Sequence, residues 1–375
     1  MATDKLSVLQ ILPALESGGV ERGTLEVARA LVKAGHRSLV MSAGGRLVPQ
    51  LTAEGSEHLA WDIGRKHPAT LRLIHPLRRL LRDGGIDIVH VRSRIPAWIL
   101  EYALKGLPAS QRPVRISTVH GLYSVSRYSA IMTRGERVIA VSETVLRYIK
   151  QNYPGCPAER IAVIPRGIDA AEFPRGHRPT EDWTNDFFAQ IPQARSRKLL
   201  TLPGRLTRLK GHHEFIKLVA SLIRQNQPVH GLIVGDEDPR RHAYANELRR
   251  TVSRQGLEKH ITFTGARSDM RDIYAISSIV FSLSTKPESF GRTVVEALGI
   301  GVPVVGYNHG GVGEILSKLF PEGRVTLQNQ EALLETTGHI LATHLRPTRE
   351  NPYTLQAMLD SSLALYRQAL AEQKD

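Results

Sequence analysis

Two successive series of short apolar runs constrain this chain more than any other feature, each run being followed by a glycine-rich or polar turn and then a stretch of helical period. In the first series, residues 6–12 precede Glu16-Ser17-Gly18-Gly19 and the helical stretch 20–34, which is the pattern of a β-loop-α unit. Further apolar runs at 38–42, 86–91, 114–119, 138–141 and 161–164 recur at the interval that alternating α/β units require. Runs of this kind suit strands covered on both faces, so a parallel sheet is expected. Between Phe173 and Lys198 the pattern fails in a polar stretch carrying Pro174, Pro179 and Pro192, which reads as an interdomain linker. A second series starts at Leu199 and runs through 231–234, 261–264, 279–283 and 302–305, with helices expected at 212–225, 240–255 and 292–299. The expected division is therefore an N-terminal domain over 1–180, a linker over 181–198, a doubly wound C-terminal domain over 199–351, and a helical tail over 352–375 that can cross back onto the first domain.

The totals agree with two domains. A chain of 375 residues exceeds the usual size of one core, and two cores imply a cleft. With 41% hydrophobic and 23% charged residues, the composition excludes a disordered chain and a membrane-embedded one. No run reaches the roughly 18 uncharged apolar residues of a membrane span, and the opening residues read as strand and loop, not as a signal peptide. Cytoplasmic residence follows as the expectation. The single cysteine, Cys156, excludes an internal disulfide and a multi-cysteine metal site.

A net charge of +14 points to an anionic partner, which composition leaves open among phosphates, nucleic acid and an anionic membrane. In the segment 71–82 a helical projection groups Leu73, Ile74, Leu77, Leu80 and Leu81 opposite Arg78, Arg79 and Arg82. That is a surface helix with its leucines in the core, whose arginines are also available to lipid phosphates at the inner face of the membrane.

Ligands of open parallel sheets bind beyond the carboxyl ends of the strands. There the chain carries Lys286-Pro-Glu288-Ser-Phe290-Gly291-Arg292-Thr293-Val-Val-Glu296, which passes from a loop into a helix near Gly291. First-turn amides at Gly291, Arg292 and Thr293, with the helix dipole, make an anion site fit for a diphosphate. Glu296, one turn in, can accept hydrogen bonds from the vicinal hydroxyls of a ribose. After the run 199–202 comes Gly204-Arg205-Leu-Thr-Arg208-Leu-Lys210-Gly211, whose Arg205 and Lys210 can stabilise charge on a departing phosphate in the absence of a metal.

These motifs resemble those of the retaining GT-B glycosyltransferases of the E-x7-E, or group 1, family, which includes bacterial lipopolysaccharide and mannosyl transferases. The likeness extends over nearly the whole chain, continuing in Ala-Leu-Gly-x-Gly-x-Pro-Val-Val and Gly310-Gly311. It implies two Rossmann-like domains facing across a cleft, and a hexosyl transfer from a nucleotide diphosphate, UDP favoured over GDP, to a glycan or lipid-linked acceptor of the bacterial envelope. It implies that Glu288 lies beside the transferred sugar, that the amides around Phe290 and Gly291 contact its hydroxyls, and that Glu296 binds the ribose. Arg205 and Lys210 match the family's diphosphate-binding pair. The first loop with Gly18 and Gly19 matches the glycine-rich loop where a phosphate or the acceptor approaches the backbone, His120 of Ser117-Thr-Val-His120-Gly121 matches the histidine at the donor sugar, and Arg267 falls near the expected base pocket.

Two departures add positive charge: His90-Val-Arg92-Ser93-Arg94 stands where many members have His-x-His, and Arg166-Gly167-Ile168-Asp169 where Asn-Gly-Val-Asp is frequent. Arg92, Arg94 and Arg166 therefore suggest an anionic acceptor. Asp236-Glu-Asp238 matches a metal-binding D-x-D literally but sits at a strand-ending turn, so neither a metal nor another cofactor is expected. Two other readings stay open: a sugar-nucleotide epimerase or hydrolase on the same fold, and a nucleic-acid-binding or DNA-modifying protein. The second is disfavoured by an aromatic content of 6%, and no nucleic acid partner is expected.

Overall fold

The computed structural model describes residues 5–16, 18–237 and 242–374. The chain divides into two compact units, one comprising the residues up to Arg166 together with the C-terminal helix from Gln356, the other Gly167–Leu355.

In the first unit seven strands form one sheet: β1 (Ser7–Ile11), β2 (Arg37–Ser42), β3 (Glu57–Ala60), β4 (Ile88–Val91), β5 (Val114–Val119), β6 (Arg137–Ala140) and β7 (Ile161–Val163). Their order is β3-β2-β1-β4-β5-β6-β7, and every pairing is parallel. Strands β1, β4 and β5 are buried at every position, as expected for strands with helices on both faces. The edge strand β3 is exposed or half-buried throughout, which is why its sequence shows no apolar run.

The second unit repeats the plan with β8 (Lys198–Pro203), β9 (Val229–Val234), β10 (Ile261–Gly265), β11 (Ile279–Ser282), β12 (Val304–Tyr307) and β13 (Arg324–Val325), in the order β10-β9-β8-β11-β12-β13. In each unit the strand order reverses beside the first strand: between β1 and β4, and between β8 and β11. Loops leaving those pairs diverge to opposite faces and open a crevice at the carboxyl edge.

The expected linker is not one. Residues Glu181–Gln190 are a helix whose cap, Thr180, accepts a hydrogen bond from the Trp183 amide, with Glu181 and Asp182 in the first turn. Phe187, Ile191 and Ala194 pack with Leu199, Leu232, Val234 and Ile273, so the segment is a layer of the second unit. Its polar residues misled the reading because only one face of the helix is apolar. The first unit accordingly ends at Arg166, not at 180.

The tail helix, Leu355–Lys374, is counted with the first unit, where the buried Tyr366 hydroxyl lies 2.6 Å from His90 Nδ1. In the segment 71–82, Leu77 and Leu81 are buried and the helix runs Ile74–Asp83. Its Arg78 donates to the carbonyls of Tyr102 and Ala103, and Arg82 pairs with Asp83. The leucine face thus belongs to the protein's own core. Among the described residues no helix is long and apolar enough to cross a membrane.

Phe187 is 2% exposed, so Phe187→Ala should destabilise the protein by about 3–5 kcal/mol, read as a lower urea midpoint. A true linker residue would leave the midpoint unchanged.

Candidate functional site

The switch point of the second unit gathers two loops. The first follows β8 and runs from Gly204 to Gly211, ending where the helix His212–Arg224 begins. Gly211 has φ +74°, and a Cβ there would stand 2.1 Å from the Leu283 carbonyl oxygen. Only glycine permits that approach, which seats this loop against the end of β11. The Thr285 amide donates to the Leu209 carbonyl at 2.8 Å and fastens the two loops together.

The second loop follows β11 and carries Glu288. Lys210 Nζ donates to Glu288 Oε1 at 2.6 Å, and the Ser284 hydroxyl donates to the same oxygen. Burial alone would raise the Glu288 pKa, but the Lys210 charge, the two hydrogen bonds and His309 outweigh it and hold the carboxyl below its usual range. Glu288 is therefore an anion at neutral pH. His309 Nε2 sits 2.7 Å from the Ser284 carbonyl, and the Gly311 amide donates to the Glu288 carbonyl at 2.7 Å. Sequence reasoning missed both Ser284 and His309: Ser284 meets Glu288 within the loop after β11, and His309 arrives where the loop ending β12 folds beside it.

The same loop enters the helix Arg292–Ile300, capped by Gly291 at φ +126° with no side-chain hydrogen bond. First-turn amides have no acceptor inside a helix, and a glycine cap supplies none, so this end suits an anion. Thr293 is half-buried there. Phe290 is buried edge-on against Tyr353, with ring centroids 5.4 Å apart, so its backbone is the part that remains for a ligand.

Glu296 is 6% exposed. It is not the solvated glutamate of an ordinary amphipathic helix: it accepts from Arg292 Nε at 3.1 Å and from the Tyr274 hydroxyl at 3.2 Å. Arg205 is exposed, and among the described residues no carboxylate pairs with it. Arg208, by contrast, pairs with Glu247 and lies 4.9 Å over the Tyr244 ring. Arg267 is also committed: it forms a two-pronged pair with Asp269, which Trp183 Nε1 also reaches at 2.8 Å. Its charge is already matched within the protein.

At the first unit's switch point Gly19 opens the helix Gly19–Lys33 after the cap Gly18, and a Cβ at Gly19 would meet nothing within 4 Å. Ser17, and Asp238 of the D-x-D, lie outside the described residues. Among the described residues no group of three metal-ligating side chains gathers.

Arg92 departs from its expected place on an acceptor surface. It is 3% exposed and donates through Nε to Gln10 Oε1 at 3.0 Å, so it is a core cation. Arg94 lies at the start of the helix Arg94–Lys105, 4.8 Å over Tyr123 and 5.3 Å over Tyr128. Arg166 is brought to His120, its Nη2 2.6 Å from Nδ1. A guanidinium can only donate, so Nδ1 accepts and the ring proton sits on Nε2. Burial, then the charges of Arg166 and Arg92, push the His120 pKa well down, leaving a neutral ring.

Paired Rossmann-like units, with a cationic glycine loop and an anionic glutamate at a helix start, define a nucleotide-sugar-dependent glycosyltransferase of the GT-B class. The chain belongs to the group 1 glycosyltransferases: residues 17–172 match Glycosyltransferase Family 4, and residues 184–351 match Glycosyl transferases group 1. The crystal structure of a glycosyltransferase from Rickettsia africae is 28% identical, superimposes with a TM-score of 0.86, and covers 98% of this chain and 99% of its own. Mannosylfructose-phosphate synthase of Agrobacterium fabrum is 32% identical over 189 residues, which span 48% of this chain and 40% of that protein. The Anabaena protein HepE in complex with UDP-glucose shares the fold at a TM-score of 0.74 and 21% identity, covering 98% of each chain.

Glu288→Gln should lower turnover roughly tenfold to a thousandfold, as loss of other electrostatic contacts does, with the denaturation midpoint nearly unchanged; a near-wild-type rate contradicts the assignment. A pH dependence also follows. His90 and His120 titrate near 6.5 when unfolded but well below that in the folded protein, chiefly through burial. The unfolded chain therefore binds more protons in that window, and stability, complete above about 6.5, falls as the pH drops toward the folded values. The urea midpoint should be lower at pH 5.5 than at pH 7.5.

Proposed function

We propose that the protein transfers a hexose from a nucleotide diphosphate, UDP favoured over GDP, to an anionic glycan or lipid-linked acceptor of the bacterial envelope, with retention at the anomeric carbon and without a metal. The observation that carries this reading is the Lys210–Glu288 pair beside the glycine-capped helix at the switch point of the second unit. There Arg205, Lys210 and the first-turn amides suit a diphosphate, and Glu288 suits the sugar's hydroxyls. A ribose reaching Glu296 would compete with the donors it already has, Arg292 and Tyr274 among them.

As the anomeric carbon–oxygen bond breaks, charge builds on the β-phosphate, and fixed cations stabilise it with little reorganisation. The acceptor oxygen bonds to the anomeric carbon, and its proton passes to an oxygen of the leaving diphosphate, so no dedicated base is required. His120, neutral and protonated on Nε2, is suited to donate to a hydroxyl without opposing the developing positive charge at the sugar. Support for UDP comes from the likeness to HepE with its UDP-glucose. Support for an anionic acceptor comes from Arg94 and Arg166, and from a relative whose name specifies a phosphorylated product.

Transfer should persist at full rate in excess chelator, and proton NMR of the product should show the donor's own anomeric configuration. Activity lost to chelator and restored by magnesium or manganese refutes metal independence, and an inverted product refutes retention. Rapid turnover of donor without acceptor would favour an epimerase or hydrolase. A thermal-shift panel of nucleotide sugars identifies the donor, since a tight ligand raises stability with its concentration.

A further inference from the structure

A cavity of about 600 Å3 lies wholly within the first unit, between the loop from Arg65 through Leu71 and the helix Arg94–Lys105. Its walls include Leu71, Ile95, Trp98, Ile99, Tyr102 and Tyr128. Among the described residues six large apolar or aromatic side chains are exposed, and three of them, Leu71, Tyr102 and Tyr128, meet here. Such a concentration of apolar surface marks a ligand site more often than chance exposure does.

The walls are fixed before any ligand arrives. Trp98 stacks on Tyr102 with centroids 6.0 Å apart at 29°, and its Nε1 donates to the Tyr128 carbonyl at 3.1 Å. The Thr70 hydroxyl donates to the Arg65 carbonyl at 2.9 Å, and the Ala69 amide to His67 Nδ1 at 3.1 Å, bracing the opposite loop.

Two features select the ligand. The lining holds no carboxylate or carboxamide, the groups that would satisfy the hydroxyls of a sugar. Its charges are the exposed Arg65 and Lys66, opposed only weakly by Asp62, 3.9 Å from Arg65 with both side chains more than half exposed. An apolar trough with a cationic rim fits a hydrocarbon chain ending in a phosphate. The wall also leads toward His120: Tyr128 lies under Arg94, Arg94 lies over Tyr123, and the Tyr123 hydroxyl accepts from the His120 amide at 3.3 Å.

We propose that this cavity binds the hydrocarbon portion of a lipid phosphate, with Arg65 and Lys66 at the phosphate, and that this amphiphile is the acceptor's lipid part. The proposal rests on reading the first unit as the acceptor half of a glycosyltransferase.

Calorimetric titration of the full-length protein with octyl phosphate tests it, alongside hexyl phosphate, octyl glucoside and inorganic phosphate. Octyl phosphate should bind saturably, and the loss of two methylenes in hexyl phosphate should weaken binding roughly tenfold. Octyl glucoside and inorganic phosphate, each lacking one half of the ligand, should bind at least about tenfold more weakly than octyl phosphate, as should octyl phosphate itself to Leu71→Asp. Leu71 is 53% exposed, so that variant should fold, and Tyr102→Ser, at a second exposed position, provides an independent check. Inorganic phosphate matching octyl phosphate, or unchanged binding in both variants, overturns the proposal. Sedimentation with phosphatidylglycerol vesicles without binding of octyl phosphate also overturns it, in favour of bilayer contact. UDP binding, followed by thermal shift, should be the same in every variant. Its absence from the wild-type protein would refute the donor assignment while the cavity result stood on the octyl phosphate titration.

Discussion

The ion pair between Lys210 and Glu288 joins residues 78 positions apart, and the arrangement of the second unit can be understood from what that contact requires. The two side chains are 33% and 26% exposed, so solvent screens the pair and its worth to stability is small. Its importance is geometric. A lysine at the end of the first loop and a glutamate at the end of the second can meet only if β8 and β11 are neighbours, if Gly211 lets the backbone pass close to Leu283, and if the following helix starts at Gly291. The resulting cation, anion and helix terminus lie together at the carboxyl edge of the sheet, where a diphosphate and a sugar place opposite demands on neighbouring groups.

Charge is distributed in two ways across the molecule. Cations that lie inside are held by partners inside: Arg115, 3% exposed, pairs with Glu101 at 2.6 Å, and Arg92 donates to the neutral carboxamide of Gln10. Burying such a group without partners would cost several kcal/mol, so those contacts are conditions of folding. Cations at the crevice and at the cavity rim, Arg205, Arg65 and Lys66, lie in water, where an anionic ligand can use them. The net charge of +14 already subtracts every carboxylate, so arginines paired with Glu54, Glu57, Glu247 and Asp269 add nothing to it, and the excess belongs to cations without such partners.

Much of the architecture was legible beforehand, and the misses have identifiable causes. Core strands were readable because burial on both faces demands unbroken apolar runs. The edge strand β3 and the two-residue β13 were not, since neither buries enough to show a pattern. The helix Glu181–Gln190 carried a readable signal in Thr180 followed by two acidic residues, but its single apolar face was hidden among prolines and charges. Site residues divide similarly. Lys210 and Glu288, which the fold brings together, stood out because strand-ending loops concentrate chemistry. His309 was missed because its contact joins two loops remote in sequence, whereas Ser284 and the Arg267–Asp269 pair are local contacts that only side-chain geometry reveals.

The sequence alone determined the alternation of strands and helices, the two sheets, and the loops on which phosphate and sugar chemistry could be placed, because hydrophobic period and glycine placement are local properties of the chain. Tertiary structure alone decided where the first unit ends, which arginines are matched internally and which face solvent, and that the leucines of the helix Ile74–Asp83 pack inward while Leu71 opens onto a cavity. Those outcomes depend on distance to partners remote along the chain, and both Coulomb attraction and desolvation act through space.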